Sequence, residues 1–505
     1  MSEKKRNLDT IKTGIAEFDD VLGGGLAANR VYLLNGSPGS GKTTLSLQFL
    51  IEGVKNGEPA LYVTLSETRA ELTAVAHSHG LSLEGIEIHE MIAGEAELDP
   101  ENQFTMYQPS EMELSLTTKA ILEIVDRLKP SRVVIDSLSE IKLLAQSALR
   151  FRRQVLALKQ YFSGRQCTVL FLDDKTMVGE EDLQLESIAH GVITLDQLSP
   201  EYGAERRRLR ISKLRGQRYR GGFHDFTIVT GGVRVFPRII ASEHTRSSDM
   251  QQMKSGVPEI DNMLGGGIET GTSVLLLGPA GVGKSSLALR YAIEAAENKE
   301  RAVIFAFDER IETLLHRAKG LGMSLENHIE DGFIEIHAVD PAELSPGEFA
   351  HRVRGSVEGA DGRSPAKIVV IDSLNGYMNA MPEERHLISQ LHELLTYMGH
   401  LGVVSFLVVA QHGLLGSAMQ TPIDTSYLAD TVILFRYFEA SGEVKQLISV
   451  LKKRSGQHER TLREFVMDSK GIRAGEPLRD FHGVLTGTPV FKGKDQGLMP
   501  AHDGA

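Results

Sequence analysis

Two stretches of the chain have residue types and spacing suited to gripping a string of phosphates. Gly36, Ser37, Pro38, Gly39, Ser40, Gly41, Lys42, Thr43 and Thr44 form one, and Gly278, Pro279, Ala280, Gly281, Val282, Gly283, Lys284, Ser285 and Ser286 form the other. Both contain G-x-x-x-x-G-K-[ST] in full. Glycines there let backbone N–H groups close around phosphate oxygens, while the helix that follows points its positive end at them. Lys42 and Lys284 are placed to reach the β- and γ-phosphates of ATP, and the Thr43 and Ser285 hydroxyls to hold Mg2+. Two matches, each after a buried-strand pattern and before a helical one, are poorly explained by chance.

Carboxylates at strand ends extend the set. Asp136 in "RVVIDS" and Asp372 in "IVVIDS" each close an apolar run, from where a carboxylate can join the Mg2+ shell. A strand-ending Asp can also be a turn former, so the phosphate loops decide between the readings. Glu67, Asp308 and Glu309 end the strand that follows the phosphate-loop helix, where a carboxylate can orient or deprotonate an attacking nucleophile. Side chains alternate along a strand, so only one of each adjacent pair can face the phosphate. Here the two stretches differ: Ser66-Glu67 in the first, Asp308-Glu309 in the second.

The densest basic run, "ERRRLRISKLRGQRYRGG", carries Lys213 and Arg215. It reads as a solvated edge strand, as a phosphate-backbone contact, or as cations reaching a neighbouring subunit's nucleotide. The third reading gains because Lys452 and Arg454 recur at the matching place. No aromatic cluster accompanies the run, which weakens single-strand nucleic-acid binding.

These residues need elements to position them, and the chain supplies the elements twice. "TGIAEFDDVLGGGL" from Thr13 and "SGVPEIDNMLGGGI" from Ser255 lie 242 residues apart, as do Gly36 and Gly278, and Glu67 and Glu309. Such a repeat is a duplicated domain, expected over 1–245 and 246–489, with 490–505 a short flexible tail. Within each copy β-branched runs alternate with helical patterns, which predicts a parallel sheet covered on both faces. Closely spaced strand patterns then end each copy as an antiparallel extension. The fold class is α/β, two tandem domains.

Composition narrows the function. There are 55 basic and 67 acidic side chains, a formal net charge of −12, which argues against general nucleic-acid affinity. No apolar run is long enough to span a membrane, and nothing at the start resembles a secretory signal. Cys167 is the only cysteine, which excludes an internal disulfide. A cytoplasmic location is expected.

Taken together, these residues resemble the RecA-like ATPases, and specifically the double-domain KaiC family, from about Ile11 to Pro489. "TGIAEFDDVLGGGL", "DTVILFRYFE" and "KKRSGQHERTLREFVMDSKG" carry the likeness beyond the phosphate loops. The resemblance implies ATP and Mg2+ as cofactors and a homohexameric ring with ATP between subunits. It implies a slow ATPase in the first domain and self-phosphorylation of hydroxyl residues in the second, with a small regulatory or signalling protein as partner. Counting back from "DTVILFRY", the acceptor pair falls on Ser426 and Tyr427, and a neighbouring hydroxyl on Thr421. Tyr427 departs from the Ser or Thr of the family, which puts a two-site cycle in doubt. Regulation by the family's activator is not expected, given the short tail. The competing readings are a DNA-dependent recombination or motor ATPase and an ATP-assembled scaffold without kinase activity.

Overall fold

The computed structural model describes residues 9–91, 109–175, 185–200, 203–244, 250–359, 362–379, 387–411, 427–440, 442–483 and 490–491. The chain divides into two compact units, with the division between Arg238 and Ile239. Each is built on a nine-stranded sheet.

In the first unit the strands in chain order are Val31–Gly36, Ala60–Thr64, Ile86–Glu90, Arg132–Asp136, Thr168–Asp174, Gly191–Leu198, Arg206–Leu214, Phe223–Val229 and Gly232–Phe236. Numbered one to nine, they lie across the sheet as 3-2-4-5-1-6-7-8-9. Strands one to six pair in parallel, and the last three are added antiparallel. The second unit begins its sheet with Ser273–Gly278 and repeats the same order and directions. The expected parallel sheet with an antiparallel extension is present in both.

Alternation builds two hydrophobic layers in each unit. Tyr32 and Leu34 face one side with Ala60 and Tyr62, while Val31 and Leu33 face the other with Leu61 and Val63. The helix Lys42–Lys55 covers the first side through Leu45, Leu47, Phe49 and Leu50, and Ala148–Ser163 covers the second through Phe151, Val155, Leu158 and Phe162. Strands buried on both faces need apolar residues at every position, which is why they read as unbroken runs. Among the described residues, no helix is long and apolar enough to cross a membrane.

The repeated opening signature has a structural job. Thr13 donates its backbone N–H and its hydroxyl to Asp19 Oδ1, both at 2.9 Å. Ser255 makes the same two bonds to Asp261 Oδ1, at 2.7 and 2.8 Å. All four residues are buried, so removing the acceptor strands a buried donor. Asp261→Ala should therefore destabilise the second unit by about 2 kcal/mol. For a domain of this size that lowers its melting transition by roughly 4–8 °C in calorimetry.

Candidate functional site

The sheet order sets the site. Strand one lies between strands five and six, so the chain leaves it into an open crevice at the carboxyl ends of the parallel strands, where α/β sheets bind ligands. The loop that exits Gly36 reaches Gly41, whose left-handed backbone (φ 97°) turns directly into the helix Lys42–Lys55. A Cβ on Gly41 would lie 2.7 Å from Ile228 Cδ1, so the turn is seated against the eighth strand and has no room for a side chain. Gly283 (φ 105°) heads the helix Lys284–Glu297 in the same way, against Phe465 and Met467.

Each loop lysine is buried under its own loop. Lys42 Nζ donates to the carbonyls of Gly36 and Ser37 at 2.8 and 3.0 Å, and Lys284 Nζ to those of Gly278 and Pro279 at 2.9 and 2.7 Å. Lys42 also pairs with Asp174 at 2.7 Å. The residue that faces Gly278 as Asp174 faces Gly36 is Ala410. The second lysine thus lacks that carboxylate, and burial presses its ammonium down to about 8 against a smaller upward pull from Asp372.

Asp136 and Asp372 end the fourth strand of their units. Burial pushes both carboxyls above the ordinary range. The hydroxyl of Thr43 lies in reach of Asp136 and that of Ser285 in reach of Asp372, and each pulls its carboxyl back down. Tyr62 adds a hydrogen bond to Asp136 Oδ2 at 2.5 Å. Among the described residues no cluster of three or more His, Cys, Asp or Glu could hold a metal unaided. A hydroxyl beside a buried carboxylate at a phosphate loop does fit Mg2+, which takes hard oxygens and completes its shell with phosphates and water.

The strand-end acids differ between units. Among the described residues, buried Glu67 Oε2 has no hydrogen-bond partner. Burial raises its carboxyl, and the charges of Asp136, Glu71 and Asp174 raise it further. Ser66 beside it is exposed. In the second unit Asp308 accepts from the Ser373 hydroxyl, and Glu309 is gripped through both oxygens by Arg317, at 3.2 and 2.7 Å.

The basic pairs sit elsewhere. Lys213 is opposite Val192, next to Gly191, which pairs with Tyr32 near the start of strand one. Lys452 is opposite Val432, in the strand that meets Val274. Both pairs therefore lie at the far end of the sheet from their own phosphate loop. Lys213 and Arg215 donate to the Ser187 carbonyl at 3.2 and 3.1 Å. Lys452 donates to the Ala429 carbonyl at 2.8 Å, and Arg454 to Asp430 and the Tyr427 carbonyl at 3.3 Å each. Elsewhere in the run Arg208 has a structural role, paired with Asp196 and stacked over Phe223. Tyr427 is half exposed; Thr421 and Ser426 lie outside the described residues.

Comparison with known proteins decides the family. The family described as "ATPase: KaiC" matches twice, over residues 11–239 and 253–479. The chain belongs to the KaiC ATPase family. It is 28% identical over 486 residues to the circadian clock oscillator protein KaiC of Parasynechococcus marenigrum, covering 95% of this chain and 93% of that protein. It is 29% identical over 487 residues to the KaiC of Synechococcus elongatus, covering 95% and 92%. A KaiC ATPase family implies ATP binding, and both matched ranges contain one of the two loops.

Sequence reasoning missed Asp174, Tyr62 and Arg317. The first closes the strand "TVLFLDD" beside the loop and could have been found by strand order. Nothing in the spacing marks the other two. The lowered ammonium of Lys284 predicts a pH response at the second site. With the first site removed by Lys42→Ala, ATP affinity at the second should weaken as pH rises through about 8, because the phosphates need the charged ammonium. The loss should approach tenfold per pH unit above that. Ala410→Asp should move the fall-off to higher pH. Fluorescent-nucleotide titration between pH 7 and pH 9.5 checks both.

Proposed function

We propose that this protein is an ATP-hydrolysing, self-phosphorylating ring, a homohexamer whose nucleotides lie between neighbouring copies. One observation carries the reading: in both units the phosphate loop and the Lys–Arg pair occupy opposite ends of the same sheet. A phosphoryl transition state needs positive charge on the side away from the loop. Lys213 and Arg215 cannot serve their own loop from where they lie, but a head-to-tail neighbour brings them to its partner's. Head-to-tail contacts that close form rings.

ATP is held by loop amides with Lys42 or Lys284, and Mg2+ would be held by Thr43 with Asp136 or by Ser285 with Asp372. When bound, the metal would offset charge on the β- and γ-phosphate oxygens. In the first domain Glu67 orients the attacking water and accepts its proton. In the second, an acid of the Asp308–Glu309 pair takes the proton of Ser426 Oγ from a neighbouring copy. A bond forms from that oxygen to the γ-phosphorus, the bond to the bridging oxygen breaks, and ADP leaves. Lys452 and Arg454 neutralise the charge that develops. Tyr427 is the poorer acceptor, since its phenol oxygen lies roughly 4 Å further from the backbone than a serine hydroxyl. A clock role, which the relatives' name carries, is not part of this proposal.

Mass spectrometry after incubation with ATP should find phosphate on Ser426 first, abolished by Lys284→Ala. Mixing Lys284→Ala with Ser426→Ala subunits should yield phosphate on the Lys284→Ala chains, because donor and acceptor lie on different copies. Absence of phosphate on Ser426 and its neighbours removes the kinase claim and leaves the ATPase. Separately, Arg215→Ala should lower first-domain turnover on the order of 10³-fold with nucleotide binding retained. Unchanged phosphate release in an assembled Arg215→Ala ring would return that residue to a structural role.

A further inference from the structure

The duplicated frame allows residue-by-residue comparison of the two sites, and one difference touches the chemistry directly. In the second unit Arg317 lies on the helix Ile311–Gly320, eight residues after Glu309. Its Nε and Nη2 meet Glu309 Oε1 and Oε2 at 3.2 and 2.7 Å. Its Nη1 donates to Ser286 Oγ at 3.0 Å, which ties the guanidinium to the first turn of the phosphate-loop helix. The pair is only partly exposed. In the first unit the helix Arg69–Ser78 places Val75 eight residues after Glu67. Valine can neither donate to nor neutralise a carboxylate, and Glu67 Oε2 stays buried without a partner.

Hydrolysis forms a bond between a water oxygen and the γ-phosphorus and breaks the bond to the bridging oxygen. It sends one water proton to a nearby base. A carboxylate acts as that base through an oxygen lone pair, and a cation bonded to both oxygens lowers its basicity and fixes its orientation. A bidentate arginine is the geometry that occupies both oxygens most strongly.

We propose that Arg317 withholds Glu309 from water and so slows hydrolysis at the second site, keeping its ATP for transfer to a hydroxyl. Arg317 is thus a positioning residue: it acts through Glu309 and through its anchor on Ser286. Val75 is its counterpart, the choice that leaves Glu67 available. The inference rests on the reading above that both sites bind ATP and that the strand-end acids serve as bases.

The test uses the full chain with Glu67→Gln, which silences the first site's base without altering its phosphate loop. Adding Arg317→Val should raise kcat for phosphate release by roughly tenfold, a fraction of the 10²–10⁴ that a fully positioned base contributes, with KM for ATP little changed. Arg317→Gln, which keeps a hydrogen-bond donor but no charge, should give a smaller rise and covers the case in which valine unfolds the helix. The gain should vanish when Glu309→Gln is added. Conversely, Val75→Arg in a Glu309→Gln chain should lower first-site release by roughly tenfold. A rate unchanged or lowered in an Arg317 variant that still binds ATP overturns the proposal. So does a gain that survives Glu309→Gln. A chain that binds no ATP at either site fails at the earlier step and overturns the functional reading, and this inference with it.

Discussion

A buried carboxylate facing a polyanion is the constraint around which each unit is organised. Asp136 and Asp372 are held away from water at the ends of their strands, and burial alone lifts their carboxyls above the usual range. Bringing phosphates beside such a group is unfavourable unless positive charge arrives with them. The loop amides, the helix end and one lysine supply it from below, and Mg2+ fits the gap between hydroxyl and carboxylate. None of these covers the side of the γ-phosphate that faces away from the loop. Because strand six sends the chain into antiparallel strands, the remaining cations, Lys213 and Arg215, end up at the wrong end of the sheet for their own site. The same sheet order that builds the crevice places this Lys–Arg pair at its opposite end, which is the observation the proposed head-to-tail assembly rests on.

The two units keep one frame and vary what hangs from it. Strand order, directions, the glycine turn into the helix and the Thr13–Asp19 or Ser255–Asp261 clasp are common to both. The differences fall at strand ends and on the first helix face beyond them: Asp174 against Ala410, Ser66 against Asp308, Val75 against Arg317. These positions lie outside the apolar layers, so substitution there changes ion pairing and charge beside the loops rather than the packing of the sheet. Duplication followed by change at strand ends gives one fold two differently charged sites.

Much of this was legible in the sequence. Strands buried on both faces appear as β-branched runs, loop turns demand glycine, and a repeat reveals itself by fixed offset. Those features are local, and they fixed the fold class, the phosphate loops and the place of Asp136 and Asp372. What stayed hidden depends on register between distant segments. Arg317 meets Glu309 because a helix lies over a strand end, and Asp174 meets Lys42 because strand five pairs with strand one at Gly36. The basic run shows the same limit. Composition could not say that Arg208 packs on Phe223 while Lys213 and Arg215 gather at the Leu185–Ile188 segment.

The charge arrangement at the base of the cation pairs points the same way as that at the acids. His190 accepts from the Val31 N–H through Nδ1 at 3.2 Å, and its counterpart Asp430 accepts from the Ser273 N–H at 3.0 Å. Both hold the start of the central strand, yet only one brings a negative charge. Burial, with Lys159, Arg30 and Arg215 nearby, lowers the His190 imidazole to about 4, so it is neutral at physiological pH. Arg215 therefore gains no counter-ion from it, whereas Arg454 is paired with Asp430 at 3.3 Å. In the second unit acid and base are matched within the unit, Glu309 with Arg317 and Arg454 with Asp430. In the first, among the described residues, neither Glu67 nor Arg215 has such an ion pair, and burial with three nearby acids raises the Glu67 carboxyl instead. The phosphate-loop lysine runs the other way, held by Asp174 only in the first unit. In the proposed reading that lysine binds phosphate in either unit, while the other groups bear on the reaction itself. The first unit thus leaves its strand-end acid and its Lys–Arg pair less committed to internal ion pairs than the second does.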